Sequence, residues 1–385
     1  IRGVVPLGRR FFRRLQVPKA GAQMPSLVER SKTLFPTAIV GSLPRPDYVR
    51  EIVVDGWHEE GWERRLDAGV AYAVSVQEAA GIDVISDGEW RRASYIGIIA
   101  EMAHGFELGY ASDGRPWTVV TDQVSAKAPG VIAAEVAFVR ARTDRLIKAT
   151  LPSPALLAER MWDPERSAEI YPSPRAFAEA VVPLLRSEAA LVAQAGADMI
   201  QVDDPHLCLL VDPEVRAQYD DEWDGADAEG EFSADMDNEV LADVGDQVVR
   251  AVHLCRRAGA RVRGEAYHSG DYGHIVKDLA RLETDHLTLE FTSPGSGDVE
   301  VLGQLPDDLE IGLGCISVHP GEVDDVETIV ERVEQAVEIV GAERIALNPD
   351  CGFAPGSAAR VDLDEVYQKL RNQAEAAKRL REIYS

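Results

Sequence analysis

The sequence predicts an α/β protein of the (β/α)8-barrel class, a TIM barrel with an inserted hairpin and an acidic insertion after its fourth strand. Three observations predict it. Eight short apolar runs recur between residues 37 and 352. Most are separated by Ala-, Leu- and Glu-rich segments whose apolar residues fall at i, i+3 and i+4, the spacing of an amphipathic helix. Nearly every run also ends in polar residues, which is where a parallel barrel carries its site. Parallel neighbours need crossover connections, so alternation of strand and helix is what such a sheet requires. A doubly wound open sheet is the competing arrangement, but no Gly-x-Gly-x-x-Gly or P-loop run follows any strand.

The elements follow in order. The first two dozen residues hold Arg2, Arg9, Arg10, Arg13, Arg14 and Lys19 with no acid among them. They have the charge of a transit peptide but almost no serine and no long apolar core. Residues 1–33 are therefore set apart as a basic arm, either upstream sequence or a docking arm for a homo-oligomer, and the catalytic barrel is expected over 34–385. Its first two strands are TAIVGS (37–42) and IDVISDGE (82–89). Residues 104–126 break the repeat, because Ser-Asp-Gly-Arg is turn chemistry between β-prone runs and predicts a hairpin. LIKATLPSP (146–154) and DMIQVDDP (198–205) supply the third and fourth strands. Residues 212–246 carry 14 acidic side chains and a single basic one, Arg216, which predicts a solvated, partly disordered excursion or a lid over the barrel mouth. The last strands are ARVRGEAYH (260–268), HLTLEFT (286–292), EIGLGCISVH (310–319) and ERIALNPDCG (343–352), with VETIVERVEQAVEIVGA (326–342) the clearest helix among them.

Composition limits the function. No apolar run approaches the roughly 20 residues that span a bilayer. A net charge of −26 excludes nucleic acid and anionic membrane as partners, since both recruit basic surface. The four cysteines, at 208, 255, 315 and 351, form no Cys-x-x-Cys pair; they are no secreted disulfide framework and point to a reducing cytoplasm. Cys208, Cys255 and Cys315 read as small buried apolar residues.

The polar strand ends define a candidate site: Gly41-Ser42, Asp87-Gly88-Glu89, Asp203-Asp204-Pro205, His268, Glu290, His319 and Asp350-Cys351. One such end could be an accident of turn composition, but seven on one face of a barrel make a site. Within the set, imidazole, carboxylate and thiolate from His268, Glu290 and Cys351 suit Zn2+, and three protein ligands leave the open position that catalytic zinc needs. Trp90 with Arg91 and Arg92 reads either as a grip for an anionic substrate tail or as a rim salt bridge.

Several runs together resemble the catalytic half of the cobalamin-independent methionine synthases, and the wider superfamily that includes epoxyalkane:coenzyme M transferase. They are Val40-Gly41-Ser42-Leu43-Pro44, Gly88-Glu89-Trp90-Arg91-Arg92, Ile200-Gln201-Val202-Asp203-Asp204-Pro205, Tyr267-His268, Leu287–Glu290, Val318-His319-Pro320 and Asn348-Pro349-Asp350-Cys351-Gly352. The resemblance implies a (β/α)8 fold, a zinc ion, and methyl or alkyl transfer to a small thiol. It places His268, Glu290 and Cys351 on zinc ligands. Gly41, Ser42, Glu89 and Asp203 fall where the thiol substrate is held, and His319 on a histidine that assists proton transfer. The family's His-x-Cys pattern reads here as His268-Ser269-Gly270, which lacks the cysteine and implies a centre with one thiolate fewer.

The chemistry follows from the metal. A free thiol has a pKa near about 8.5, so little is thiolate at neutral pH; bound to Zn2+ it ionises and remains a nucleophile. His319 would protonate the leaving atom, and Asp203 would hold a cationic group or orient His319. The implied partners are a small thiol, homocysteine-like or coenzyme M-like, and a methyl or alkyl donor. A carbon–sulfur lyase or decarboxylase on the same barrel, and a non-catalytic ligand-binding homologue, are the alternatives.

Overall fold

Parallel strands buried on both faces need near-continuous apolar runs, and seven such strands form the main sheet of the computed structural model. The structure describes residues 26–56, 59–110, 116–222, 224–256, 268–293, 295–354 and 361–385. The sheet strands are β1 (Val84–Ile85), β4 (Leu146–Pro152), β5 (Met199–Asp203), β6 (Val249–Leu254), β7 (His286–Glu290), β8 (Glu310–Ile316) and β9 (Ile345–Pro349), hydrogen-bonded in that order and all parallel. An antiparallel pair, β2 (Ala103–Tyr110) and β3 (Pro116–Ala126), forms a separate sheet. It is the expected hairpin, whose turn at 111–115 lies outside the described residues.

The first expected strand is reduced to two bridges. Thr37 pairs in parallel with Leu347 of β9, and Ala38 with Val84 of β1. Ala38 N donates to Leu347 O at 2.9 Å and Val84 N to Thr37 O at 2.9 Å, so the two edge strands of the curled sheet meet through this segment. Leu27 is wholly buried among Ala38, Val84, Met199, Val249 and Ala346. The backbone N–H groups of Leu27 and Val28 donate to the Glu310 carboxylate at 2.9 and 3.0 Å. Packing therefore begins inside the range set apart as the arm; residues 1–25 lie outside the described residues.

Crossover helices are started by the residues their sequences supply. Ser153 caps Pro154–Met161 by accepting from Leu156 N at 3.1 Å, and Asp325 caps Val326–Val340 by accepting from Thr328 N at 2.8 Å. Both are N-cap chemistry that satisfies amides the helix leaves open.

Two expectations are corrected. The acidic stretch forms the helices Pro213–Glu222 and Ala226–Leu241, and the second is the crossover between β5 and β6. Its buried face contains Glu229, Ser233 and Asp237, so the helical period is written partly in polar residues and escapes an apolar count. The fifth strand of the barrel reading, expected at 260–268, is β6 at Val249–Leu254, which fills the place between β5 and β7. Residues 257–267 lie outside the described residues. Among the described residues no helix is long and apolar enough to cross a membrane.

Candidate metal centre

In a strand, residues i and i+2 share a face, so the His253-Leu254-Cys255 run at the end of β6 sends an imidazole and a thiol to one side. The parallel register sets Asp203 beside His253 and Leu254 beside Leu289, which brings the ends of β5, β6 and β7 level. Cys351 arrives from the turn after β9. His253, Cys255 and Cys351 are all buried and offer ligand atoms within 4.8 Å of one another, the two sulfurs 3.4 Å apart.

Glu290 ends β7 within reach of the charge of Cys255, though its carboxylate is not among the clustered ligand atoms. Its Oε2 accepts the Arg256 backbone N–H at 2.8 Å, while Oε1 is buried without a hydrogen-bond partner. His253 Nε2 is likewise buried and unpartnered, and its Nδ1 lies 2.8 Å from Asp203 Oδ1. Orphaned buried polar atoms are uncommon enough to need a reason. Burial, and then the charge of Cys255, push the Glu290 carboxyl upward. Contact with Cys255, and then burial, push the Cys351 thiol well up. Burial and Glu290 carry Asp350 up to about 8. Buried acids that raise one another's pKa are what a cation would relieve. An imidazole nitrogen, two sulfurs and a carboxylate oxygen are the donor set zinc takes, so these residues fit the ion.

His268 stands elsewhere. It belongs to no such group among the described residues, and its Nδ1 faces Asp212 Oδ2 at 3.3 Å. A His-x-Cys run stands at 253–255, and both its ends lie in the clustered group. Cys255, read from sequence as a small apolar residue, is one of the clustered thiols. Of the three ligands proposed from sequence, Cys351 belongs to the clustered group, and Glu290 ends β7 outside it.

The other strand ends frame the cluster. Glu89 is buried, accepts the Thr150 hydroxyl at 2.9 Å, and has φ +57, a left-handed conformation that costs a non-glycine residue energy and concentrates at functional sites. A Cβ on Gly41 would sit 2.5 Å from Glu89 Oε1, so only glycine admits the carboxylate there. Burial pushes Glu89 upward and Asp203 adds to the rise, placing the two carboxylates in one electrostatic neighbourhood. Ser42 Oγ accepts Ala354 N–H at 3.2 Å and Ser42 O accepts Phe353 N–H at 3.0 Å, tying the first strand to the turn that carries Cys351.

Trp90 and Arg91 are not at the centre. Trp90 is wholly buried and donates from Nε1 to Leu43 O at 3.1 Å. Arg91 pairs with Asp67 at 2.5 Å and lies over the Phe138 ring, while Arg92 pairs with buried Glu135 at 2.7 Å. Asp203 engages His253 rather than His319. His319 lies on the turn after β8, with Nδ1 donating to Pro320 O at 3.1 Å, which leaves Nε2 as an acceptor. Sequence reasoning also missed Tyr95, whose phenol is raised by desolvation and then by the charges of Cys255 and Asp203. Its position six residues after Glu89, on the same loop, was the available signal.

Residues 35–379 match the family described as the cobalamin-independent synthase catalytic domain. The methionine synthase of Sulfolobus acidocaldarius is 26% identical over 333 residues, which cover 83% of this chain and 86% of that protein. The 5-methyltetrahydropteroyltriglutamate–homocysteine methyltransferase of Thermosynechococcus vestitus is also 26% identical, over 90% of this chain but 43% of its own length. The chain thus spans less than half of that relative. A B12-independent methionine synthase from Shewanella sp. W3-18-1, solved in complex with selenomethionine, superposes with a TM-score of 0.73 at 21% identity, covering 91% of this chain and 98% of that one. A methyltransferase from Methanosarcina mazei gives 0.57 at 16% identity, covering 90% and 94%. At these identities the two structures attest the fold. The expectation of a methionine-synthase-like enzyme agrees with the sequence relatives, and the match over 35–379 decides the kinship: the chain belongs to the cobalamin-independent synthase catalytic-domain family.

Proposed function

We propose that this chain is a zinc-dependent methyl- or alkyltransferase whose acceptor is a small thiol of the homocysteine type. The observation that carries the reading is the buried His253, Cys255 and Cys351 group, with a buried, unpaired Glu290 oxygen that feels the charge of Cys255. These four residues would hold the ion. Zinc bound there supplies Lewis acidity, ionising a thiol while leaving its sulfur nucleophilic.

The chain's own residues do the rest. Glu89 and Asp203 present two buried carboxylates near the cluster, a charge pattern suited to the ammonium of an amino-acid thiol. The Gly41–Ser42 backbone closes in on Glu89 and would face the same substrate. His319 Nε2, left as an acceptor by the Nδ1 hydrogen bond to Pro320, can take a proton and return it to the leaving atom. Relatives named for a methyltetrahydropteroyl donor and homocysteine supply the class of the second substrate. We further propose that the segment at 37–38, paired with both β1 and β9, is the eighth strand of a closed (β/α)8 barrel with its site at the C-terminal ends of the strands.

With Cys255 beside Cys351, the thiol pair supports alkyl transfer better than carbon–sulfur lyase chemistry. The test is metal analysis of purified protein, followed by thiol consumption with a methyltetrahydropteroyl glutamate as donor. Stoichiometric zinc and chelator-sensitive loss of homocysteine are expected. Full thiol turnover by zinc-free protein would overturn the reading.

A further inference from the structure

Below the metal centre the interior of the sheet is polar, which a buried core ordinarily avoids. Lys148 on β4 is 1% exposed, and its Nζ donates to Gln201 Oε1 on β5 at 2.9 Å. Gln201, wholly buried, donates from Nε2 to Asp203 Oδ1 at 2.7 Å and to Val40 O at 3.2 Å. Asp203 Oδ1 also meets His253 Nδ1 at 2.8 Å. The four side chains form one chain of hydrogen bonds running from the middle of the sheet to the cluster.

The chemistry of each link fixes the next. Lys148 Nζ donates to the amide oxygen of Gln201, so that oxygen faces Lys148. The Val40 carbonyl only accepts, so the amide nitrogen must face it. Both constraints turn the Nε2 hydrogens toward Asp203. A carboxylate oxygen that receives Gln201 can only receive His253 as well, so Nδ1 carries the proton. Nε2, buried and without a hydrogen-bond partner, is left as the nitrogen free to ligate.

We propose that Lys148 and Gln201 are positioning residues that set which nitrogen of His253 binds the metal, acting through Asp203. The proposal rests on the metal reading above but concerns the arrangement behind it. Without Nζ, Gln201 Oε1 becomes a buried acceptor lacking a donor, which the amide relieves by turning away from Asp203. Outer-shell partners of a ligand typically change metal affinity by about 10–100-fold, and this relay lies one bond further back.

The experiment compares wild type, Lys148→Met, Gln201→Leu and the double variant. Zinc affinity is read by chelator competition. The His253 ring is read by 15N NMR, using coupling to bound 113Cd to identify the ligating nitrogen and proton exchange at Nδ1 to report the hydrogen bond. Wild type should couple through Nε2 and hold a slowly exchanging Nδ1 proton. Gln201→Leu should weaken zinc binding about tenfold and Lys148→Met by at least about threefold, both with faster Nδ1 exchange. The double variant should lose no more than Gln201→Leu alone, because Lys148 then has no amide to orient. If Gln201→Leu does not fold, Lys148→Met, close in length and free of the buried charge, carries the test. Affinity within twofold of wild type in both single variants, unchanged Nδ1 exchange, or losses that multiply in the double variant overturn the proposal. A wild type that takes up no metal, yet shows a protected Nδ1 proton that the variants lose, would sink the metal reading and leave the relay standing.

Discussion

The strongest single test replaces Cys255 by serine. His253, Cys255, Cys351 and Glu290 would share a zinc ion, and sites of this kind bind with about 10–16 kcal/mol at neutral pH. Divided over four ligands, each contributes roughly 3 kcal/mol, which is on the order of 10²-fold in affinity. A thiolate is among the stronger donors of the set, so Cys255→Ser should lose at least that much. Cys315 provides the control. It is buried as deeply, but its sulfur sits 3.7 Å from the Asn348 carbonyl and is outside the clustered group, so Cys315→Ser should leave affinity within about threefold. Competition against a chromophoric chelator at equilibrium separates the two on one plate. If Cys255→Ser keeps zinc within tenfold of wild type, Cys255 is not a ligand and the centre built on β6 is wrong.

Three further outcomes follow. Gly270→Cys, which would restore a ligand if His268 held the metal, should instead destabilise the fold by about 1–3 kcal/mol without tightening zinc. A Cβ there would lie 2.0 Å from Val211 O at a φ of +155, and both denaturant melts and chelator competition would expose an error. Arg92→Met should cost about 3–5 kcal/mol in chemical denaturation, because it strands the buried Glu135 carboxylate 2.7 Å away without a counter-charge; a change under 1 kcal/mol would refute that. Burial alone would lower the pKa of His206, but the nearby Glu159 carboxylate and a hydrogen bond to Glu229 outweigh it and carry it to about 10 from an ordinary 6.5. A raised folded pKa stabilises fully below the unfolded value and less as pH climbs through the folded one. The melting-temperature advantage of wild type over His206→Gln should therefore be largest below about pH 6.5 and shrink toward pH 10, and an advantage that grows over that range contradicts the assignment.

The sequence showed most plainly those strands whose ends carry their own punctuation. DMIQVDDP was legible because an apolar run meets Asp204, which caps the next helix by accepting from Leu207 N at 3.0 Å, and Pro205 at its first position. β6 offers neither signal. Its run VRAVHL contains Arg250 and His253, and Arg250 is tolerated because it pairs with Asp285 at 2.8 Å. The helix before it, Ala226–Leu241, buries Glu229, Ser233 and Asp237, so an apolar period could not mark it as the crossover that must precede a strand. An acidic stretch read as loop puts the next strand too late, at 260–268.

That displacement of one strand accounts for His268, rather than His253, being proposed as a ligand from sequence. A strand contributes two ligands to one ion only when both donors sit at i and i+2, since the intervening side chain points to the other face. His253-Leu254-Cys255 meets this condition, and His268-Ser269-Gly270 does not. Glu290 and Cys351 could be proposed without a register, because each stands alone at its strand end. The paired ligands needed the right strand as well as the right residues, and the same-face rule was the sequence-level criterion able to choose between the two histidines. Applied to this chain it selects His253. The register then agrees independently, setting Asp203 directly beside His253, where a carboxylate can accept the Nδ1 proton and leave Nε2 for the metal.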